Sequence, residues 1–416
     1  MPTVDRLADA IWPDYTIRMQ RLRFLTAIAV MSMVCEPFRD KFASDEVSPA
    51  NQVFEWYVVE AHARMAKTLG SDIRGLPGSE KARSSLAAGL PLSADRYLKT
   101  PSVFGFHGIY KRLARGVGIV DEDLYLGEEG YRLLMAWEQD QGFEGFADHA
   151  RKTGPGPDAR ARWQDAVRQG LGSASTTRGG GWQGWRELAE SLRLDGISQR
   201  ERKALRAILA QEGRGHQAEF LGLLDRVEIR DSWQGPERER AFLTDLSSRC
   251  SAGLRESLRA ILEYEVVTRH LDDAWRLLLF LSTQLSPTPL TPRAFADKLP
   301  SAREPRVLVE KIDRAANAII EAHAQLQFDE LTRPFLGVTT GTDIFHALLE
   351  RHEQVQRRKP PHGKRPWIER SASDAVVVRV PYRVYEPPSY EDEFVDPYRT
   401  VACIHLLDDL HGRREA

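Results

Sequence analysis

The chain has 416 residues, of which 28% are charged and 42% hydrophobic, and its formal net charge at pH 7 is −2. This balance is typical of a folded globular protein, so it excludes a largely disordered chain, and the length predicts more than one domain. A protein that holds bare nucleic acid over its whole surface has a large excess of lysine and arginine. Because that excess is missing, any contact with a polyanion must be local.

The cysteines and the apolar segments indicate the cellular environment. Cys35, Cys250 and Cys403 lie far apart without CxxC spacing, which favours a reducing, cytoplasmic location and no structural zinc. The longest apolar run, Phe24–Cys35, is shorter than the roughly 20 residues of a membrane helix, and the charges before it do not have the order of a signal peptide. It predicts a buried core helix and no membrane contact.

Residues 1–92 are predicted to form an N-terminal helical domain. Prolines separate its three main helices, which are Val4–Ile11, Ile17–Val34 and Gln52–Leu69. In the third helix, the apolar spacing predicts one buried stripe and leaves Glu55, His62 and Arg64 on its other faces.

Residues 93–141 contain a helix, a short hairpin and a second helix. Glycines end the first helix, and Gly118–Val120 and Leu124–Leu126 flank an acidic turn. This order, followed by the letters LYLGEEGYRLLM, resembles the closing half of many bacterial winged-helix domains. The resemblance implies that the module reads DNA. Acidic residues outnumber basic ones in the module, however, which favours a grip on protein, or contact with DNA only through Lys111, Arg112 and Arg115.

The rest of the chain is predicted to be helical until its last part. Ser198 and Glu201 have the spacing of a capping box that starts a basic helix, which is either a second helix-turn-helix or a solvated surface helix. Ala375–Tyr385 has the composition of an edge strand. The remaining segments are a flexible linker region at 142–184, a central helical domain at 185–285, a proline-rich connector at 286–306, a helical hairpin at 307–358 and a basic, proline-rich segment with short strands at 359–416.

The predicted fold class is therefore mainly α: a multi-domain helical protein with an embedded winged helix-turn-helix and a small β-containing C-terminal segment. We found no mononucleotide or dinucleotide loop, no HExxH and no GxSxG motif, and no cofactor is predicted.

Two groups of residues are considered for chemistry. Asp343, His346 and Glu350 would share one face of a helix as metal ligands, although an ordinary surface helix shows the same partition. His362 and Lys364, followed by Glu369, resemble the HxKxxxxD motif of phospholipase-D-type phosphodiesterases. That resemblance implies attack on phosphorus by the histidine and binding of phosphate oxygens by the lysine. The acidic residue is glutamate here, and a second copy of the motif is missing.

The strongest local charge lies in the stretch of residues 351–370, with seven basic residues against two acidic ones. Cations beside aromatic rings suit a nucleic-acid backbone and stacked bases. The alternative is pairing with the acidic stretch Tyr390–Asp396 of the same chain. The candidate nucleic-acid-binding residues of this stretch are Arg357, Arg358, Lys359, Lys364, Arg365 and Trp367.

A wider pattern combines the N-terminal helical block, YLKTPSVFGFHGIYKRLA, HGKRPWIE and VVVRVPYRVY. It resembles uncharacterised proteins encoded in bacterial defence islands, and the resemblance implies a role against phage or foreign DNA with protein partners. The sequence thus predicts a non-enzymatic DNA-associated or scaffolding subunit. The alternative is a phosphodiesterase or nuclease that acts through the C-terminal half.

Overall fold

The computed structural model describes residues 3–70, 73–321, 324–360, 362–371, 374–391 and 393–413. The fold is mostly helical, with 62% helix and 3% strand. Among the described helices, none combines the length and the apolar character needed to cross a membrane. The three cysteines are buried, and no disulfide joins them.

The chain forms two compact units. The larger unit comprises Trp12–Asp225 and the segment from Arg399 onward, and the smaller unit comprises the first helix and Arg226–Tyr398. This division is coarser than the seven segments predicted from the sequence and does not test their boundaries.

The helices of the larger unit are α2 (Arg23–Cys35), α3 (Ala50–Leu69), α4 (Ser79–Ala87), α5 (Pro101–Phe104), α6 (Phe106–Gly116), α7 (Glu128–Gln141), α8 (Pro155–Ser173), α9 (Gln183–Ser191), α10 (Gln199–Leu209), α11 (Gln217–Leu224) and α19 (Thr400–His411). The elements of the smaller unit are α1 (Thr3–Ile11), α12 (Val227–Arg230), α13 (Glu239–Ser247), α14 (Ala252–Leu285), α15 (Pro292–Ala296), α16 (Pro305–Glu321), α17 (Gln325–Thr332), α18 (Gly341–Arg358), β1 (Ile368–Arg370) and β2 (Val376–Val378).

Helix α2 lies at the centre of the larger unit. All of its residues are buried, as predicted for the apolar run, and α3, α6, α7 and α8 pack around it. A helix that is apolar on every side needs such complete cover. Its first residue, Arg23, donates through Nη1 to both oxygens of Glu201 at 2.7 and 2.6 Å, and Thr26 donates to the same carboxylate. This buried ion pair joins α2 to α10.

The prediction for the faces of α3 is wrong for two of its three residues. Glu55 and His62, which the apolar spacing assigns to the outer faces, are both buried, whereas Arg64 is partly exposed. The helix packs against α2, α4, α8 and α9, so it has no solvent face along its first half. Glu55 accepts hydrogen bonds from the Tyr97 hydroxyl at 2.7 Å and from the backbone N–H of His107 at 3.1 Å. Buried carboxylates need such partners.

The structure does not confirm a winged helix at residues 93–141. The helices α6 and α7 are present, but the expected hairpin is reduced to one bridge between Val120 and Leu126. Leu124 has a φ of 64°, and its carbonyl accepts a hydrogen bond from Ser32 of α2 at 2.6 Å. The acidic turn therefore packs on the core helix and does not extend as a β-wing.

The capping box predicted at the start of α10 is also wrong. Ser198 occupies the N-cap position without a side-chain cap bond, and its hydroxyl donates to Asp140 of α7. Glu201 instead receives the buried guanidinium of Arg23. Tertiary partners have replaced both halves of the local motif. On the basic face of the helix, Arg200 pairs with Asp140 at 2.8 Å.

The 34-residue helix α14 is the axis of the smaller unit, and α16 packs along it. Ser251 caps its start by accepting a hydrogen bond from the N–H of Leu254. The strands β1 and β2 pair antiparallel, with Glu369 opposite Val377. The strand predicted over Ala375–Tyr385 is limited to Val376–Val378, because a 3₁₀ turn follows at Val380–Tyr382, where Pro381 cannot donate to a ladder.

Candidate nucleic-acid interface

The smaller unit contains an apolar cavity of about 300 Å³. Helices α14 and α18 form two of its sides, and the stretch before β1 contributes a third. We call it the aromatic cavity. Its lining residues are Thr268, Leu271, Asp272, Trp275, Leu331, Leu348, Arg351, His352, Val355, Gln356, Lys359, Trp367 and Val395.

Four flat side chains form a continuous stack at this cavity. The rings of Trp275 and His352 lie 4.6 Å apart at 22°, and His352 meets the ring of Trp367 edge to face at 5.2 Å. Trp367 in turn stacks on Tyr382 at 4.8 Å and 7°. Offset and edge-to-face pairs of this kind are favourable for aromatic rings. The stack fixes the Trp367 ring, which is only partly buried, as one side of the cavity.

The imidazole of His352 is neutral and its tautomer is defined by one hydrogen bond. The backbone N–H of Trp367 donates to Nε2 at 3.0 Å, so Nε2 carries the lone pair and the proton resides on Nδ1. Burial lowers the pKa of His352 to about 4, and the nearby charge of Lys359 acts in the same direction. At neutral pH this side chain is therefore an uncharged flat surface.

Two cations lie beside this apolar surface. Burial lowers the pKa of Arg351 from its usual high value, but a guanidinium remains charged at neutral pH. The ammonium of Lys359 lies 5.9 Å from the centre of the Trp367 ring. The acidic residue of the cavity, Asp272, is already bonded to Arg269 at 2.9 Å and Arg276 at 2.6 Å. The net electrostatic character of the opening is consequently basic.

The exposed cations predicted to bind nucleic acid follow the end of α18. Arg357 pairs with Glu353 at 3.0 Å and Arg358 with Glu330 at 3.2 Å, whereas Lys364 is exposed and has no ion pair among the described residues. Arg365 pairs with Glu369, within the same segment. Exposed pairs of this kind contribute little and can exchange for other anions.

The acidic stretch proposed as the alternative partner has different contacts. Glu393 lies 3.7 Å from Arg238, and Asp396 accepts a hydrogen bond from the Tyr264 hydroxyl at 3.3 Å. The arginines of residues 351–370 instead form ion pairs with glutamates of α17, α18 and β1 and with Asp374.

The three weak metal candidates each have a separate role. Asp343 accepts hydrogen bonds from the backbone of Thr339 and Thr340 at the start of α18, and His346 lies 3.3 Å from Asp374. Glu350 accepts from Gln354 at 2.9 Å. Within the described ranges, no group of three or more His, Cys, Asp or Glu side chains is arranged to hold a metal ion.

The residues of the phosphodiesterase-like motif are placed on the surface. His362 and Lys364 are both exposed in the turn after α18, and Glu369 of β1 is engaged with Arg365. Among the described residues, no contact orients His362 for attack.

The cations of α6 lie in the larger unit. Arg112 lies 3.5 Å from Asp14, and Arg115 pairs with Glu122 of the acidic turn. Lys111 is half-buried, with no ion pair in the part of the chain that the structure describes.

Sequence reasoning places Tyr382 beside the basic stretch but misses Trp275 and His352 as parts of this site. The pattern around Trp275 indicates helix packing, and nothing in the sequence pairs it with positions so far along the chain. A usable signal exists for His352, because it lies within the stretch of residues 351–370 that also contains Trp367.

Comparison with known proteins adds no assignment to this geometry. A scan against protein-family models gave no match, and neither did searches of the curated proteins and of the solved structures.

Proposed function

We propose that the chain is a non-enzymatic nucleic-acid-binding subunit that holds single-stranded DNA on its smaller unit. The observation that supports this most directly is the aromatic cavity, in which Trp275 and Trp367 flank His352 beside Arg351 and Lys359. An unpaired base enters the cavity and stacks on the Trp367 ring. Base stacking on an aromatic side chain contributes about 1–3 kcal/mol per base.

The exposed cations after α18 hold the phosphates in this proposal. Arg357, Arg358 and Arg365 exchange their weak surface ion pairs for phosphate oxygens, and Lys359 and Lys364 need not give up an ion pair. Each phosphate contact releases bound counterions, so binding weakens as salt rises. A local basic patch accounts for such binding in a chain whose net charge is −2.

Single strands are favoured over duplexes for a steric reason. A base that is paired and stacked in a duplex cannot enter a cavity, and taking it out costs a few kcal/mol. A single strand offers its bases without that cost. We therefore place the contact on unpaired DNA, such as a displaced strand.

The helix α6 is not part of this contact. Arg112 and Arg115 already pair with Asp14 and Glu122, and the acidic turn beside them would repel phosphates. The winged-helix interpretation of residues 93–141 is kept as a proposal for a surface that grips protein. Membership of a multi-protein defence system is likewise part of the proposal, and it explains why a binding subunit would need partners.

The test measures the fluorescence anisotropy of a labelled single strand of about 12 nucleotides, and of its duplex, over a range of salt concentrations. One variant replaces Arg357, Arg358, Lys359, Lys364 and Arg365 with alanine. Its affinity should fall, and the slope of log K against log salt should decrease by about 0.7 for each phosphate that the variant no longer neutralises. A second variant, Trp367→Leu, should weaken single-strand binding about tenfold while leaving the slope unchanged.

A matched control removes the same charge elsewhere. Five exposed arginines of the larger unit are replaced with alanine, and these are Arg132, Arg168, Arg186, Arg200 and Arg206. This control should bind the single strand more tightly than the first variant. Equal losses of affinity in the two variants would show a general charge effect and contradict the proposal, as would tighter binding of the duplex.

A further inference from the structure

The larger unit contains a cavity of about 360 Å³ that no predicted site residue lines. It lies between the second half of α3, the segment from Leu86 to Pro91 and the segment from Thr176 to Gly179. Arg64 of α3 and Arg178 of the second segment are its two cations, so we call it the arginine cavity.

The backbone around this cavity is fixed by hydrogen bonds. The N–H of Thr176 donates to the carbonyl of Leu92 at 2.9 Å, and the N–H of Leu92 donates to the Thr176 hydroxyl at 3.0 Å. The N–H of Thr177 donates to the Tyr57 hydroxyl of α3 at 3.0 Å. The segment that presents Arg178 is therefore held in place before any ligand arrives, which lowers the entropic cost of binding.

Arg64 is oriented by one carboxylate and one ring. Its Nε donates to Glu60 at 2.8 Å, and its guanidinium lies 5.0 Å from the Trp185 ring. The other oxygen of the buried Glu60 accepts from the Thr176 hydroxyl at 2.6 Å. Among the described residues, Nη1 of Arg64 has no acceptor, so this edge of the guanidinium is available to a ligand.

Arg178 is oriented in the same way. One of its terminal nitrogens donates to Asp165 of α8, and its guanidinium lies 5.5 Å from the Trp182 ring. Its Nε is buried and has no hydrogen-bond partner in the part of the chain that is described. Because the side chain as a whole is 20% exposed, a ligand in the cavity would meet the terminal nitrogens of Arg178, and charge-assisted bonds from a guanidinium to a phosphate are strong.

Three consecutive glycines follow Arg178, and the fold does not require them. None of Gly179, Gly180 and Gly181 has the positive φ that favours glycine. A Cβ would meet nothing within 4 Å at Gly179 or Gly181, and at Gly180 it would lie 3.6 Å from Nη1 of Arg64, an ordinary contact. A bare backbone beside two arginines permits close approach of an anion to its N–H groups.

From these contacts we propose that the arginine cavity binds a small molecule with a phosphomonoester group. Phosphate oxygens accept hydrogen bonds from Nη1 of Arg64 and from the terminal nitrogens of Arg178, and Gly179 lines the same cavity. The cavity volume leaves room for the rest of a small phosphorylated compound. This proposal is independent of nucleic-acid binding by the smaller unit.

The test is isothermal titration of the full chain with inorganic phosphate and with ribose 5-phosphate, at constant ionic strength set with chloride. Saturable binding is expected for both, with ribose 5-phosphate tighter. Arg178→Gln should weaken both about tenfold or more, since it removes a charge-assisted pair of hydrogen bonds. Arg178→Lys keeps the charge but lacks the planar donors, so it should also weaken binding.

Arg168→Gln is the matched control. Arg168 pairs with the same Asp165 carboxylate at 3.1 Å but does not line the cavity. It should bind ribose 5-phosphate as the unchanged chain does. The proposal is overturned if the unchanged chain gives no saturable heat, if Arg178→Lys binds normally, or if Arg168→Gln weakens binding as much as Arg178→Gln. A 5′-phosphorylated oligonucleotide whose binding is weakened by Arg178→Gln more than that of ribose 5-phosphate would overturn the small-molecule assignment.

Discussion

Both units bury carboxylates beside basic side chains, as the smaller unit does with Asp273 and Arg303 at 2.6 Å, but one buried carboxylate of the smaller unit has different surroundings. In the larger unit each of three buried glutamates faces a basic side chain: Glu55 lies 2.6 Å from the His107 ring, Glu60 bonds Arg64 and Glu201 bonds Arg23. In the smaller unit, by contrast, the buried Glu265 has another acid, Asp396, as its electrostatic neighbour.

The hydrogen bonds of Glu265 do not cancel the rise in its pKa that burial causes. It accepts from the N–H of Val395 at 2.7 Å and from the Tyr398 hydroxyl at 3.0 Å. Burial nevertheless raises the pKa of Glu265 to about 8, and the charge of Asp396 adds to the rise. Burial also raises the pKa of Asp396. Opposite charges therefore stabilise buried carboxylates in both units, whereas Glu265 of the smaller unit is a buried carboxyl that stays protonated near neutral pH.

The largest expected effect comes from breaking an ion pair in the larger unit. Glu201→Ala leaves the Arg23 guanidinium, whose side chain is 1% exposed, without its carboxylate. Removing one partner of a buried pair costs about 3–5 kcal/mol. Hydrogen exchange read by mass spectrometry should show reduced protection in α2 and α10 and little change in α14.

The control for this variant is Glu310→Ala in the smaller unit. Glu310 pairs with Arg306 at 3.0 Å, but both side chains are well exposed. Its removal should change protection little. If Glu201→Ala altered exchange no more than this control, the buried pair would not be what stabilises the larger unit.

The contrast between the units could be predicted from the sequence only in part. The apolar run Phe24–Cys35 predicted its own burial, because its composition leaves no polar face. The burial of Glu55 and Glu201, by contrast, could not be predicted from the sequence. Helical spacing assigns residues to faces but cannot show that α3 is covered on all sides, or that Asp140 and Arg23 displace a local capping box.

The same limit applies to the candidate site. Sequence reasoning assigned Lys359 and Trp367 to nucleic-acid binding, and both residues line the aromatic cavity. Trp275 and His352 complete that cavity from α14 and α18, and only the packing of those helices brings them together. The arginine cavity escapes sequence reasoning because SASTTRGGGWQG has the composition of a mobile loop, while its arginine is held by Asp165.

The next effect is a dependence of the smaller unit on pH. In the unfolded chain Glu265 titrates at about 4.3, below its folded pKa of about 8. Between these values the folded state holds a proton that the unfolded state has lost, so stability falls as pH rises. His270 and His352 of the same unit, whose pKa values burial lowers to about 3 and about 4, have the opposite dependence below their unfolded value of about 6.5. Protection of α14, corrected for intrinsic exchange rates, should therefore decrease from pH 7 to pH 8.

Glu265→Gln cannot ionise at this position, so its protection should decrease less over this window than that of the unchanged chain. Protection of α2 in the larger unit provides the internal reference and should not follow the change. A wild-type profile for α14 that rises from pH 7 to pH 8 would contradict the account of Glu265.

The smallest expected effect has the opposite sign and lies in the same smaller unit. Asp343 is exposed, and hydrogen bonds from the backbone and hydroxyls of Thr339 and Thr340 lower its pKa to about 2. Its unfolded pKa is about 3.9, so its contribution is complete above that value and is lost as pH falls toward 2. Protection of the first turn of α18 should therefore decrease from pH 4 to pH 2, and Asp343→Asn should remove the dependence.

The control is Asp329→Asn, a change at an exposed acid of α17, which should leave this pH dependence intact. If Asp329→Asn flattened the profile equally, the capping box of Thr340 and Asp343 would not be the cause of the pH dependence. The dependence would then follow the number of acidic residues in the smaller unit and not the surroundings of each one.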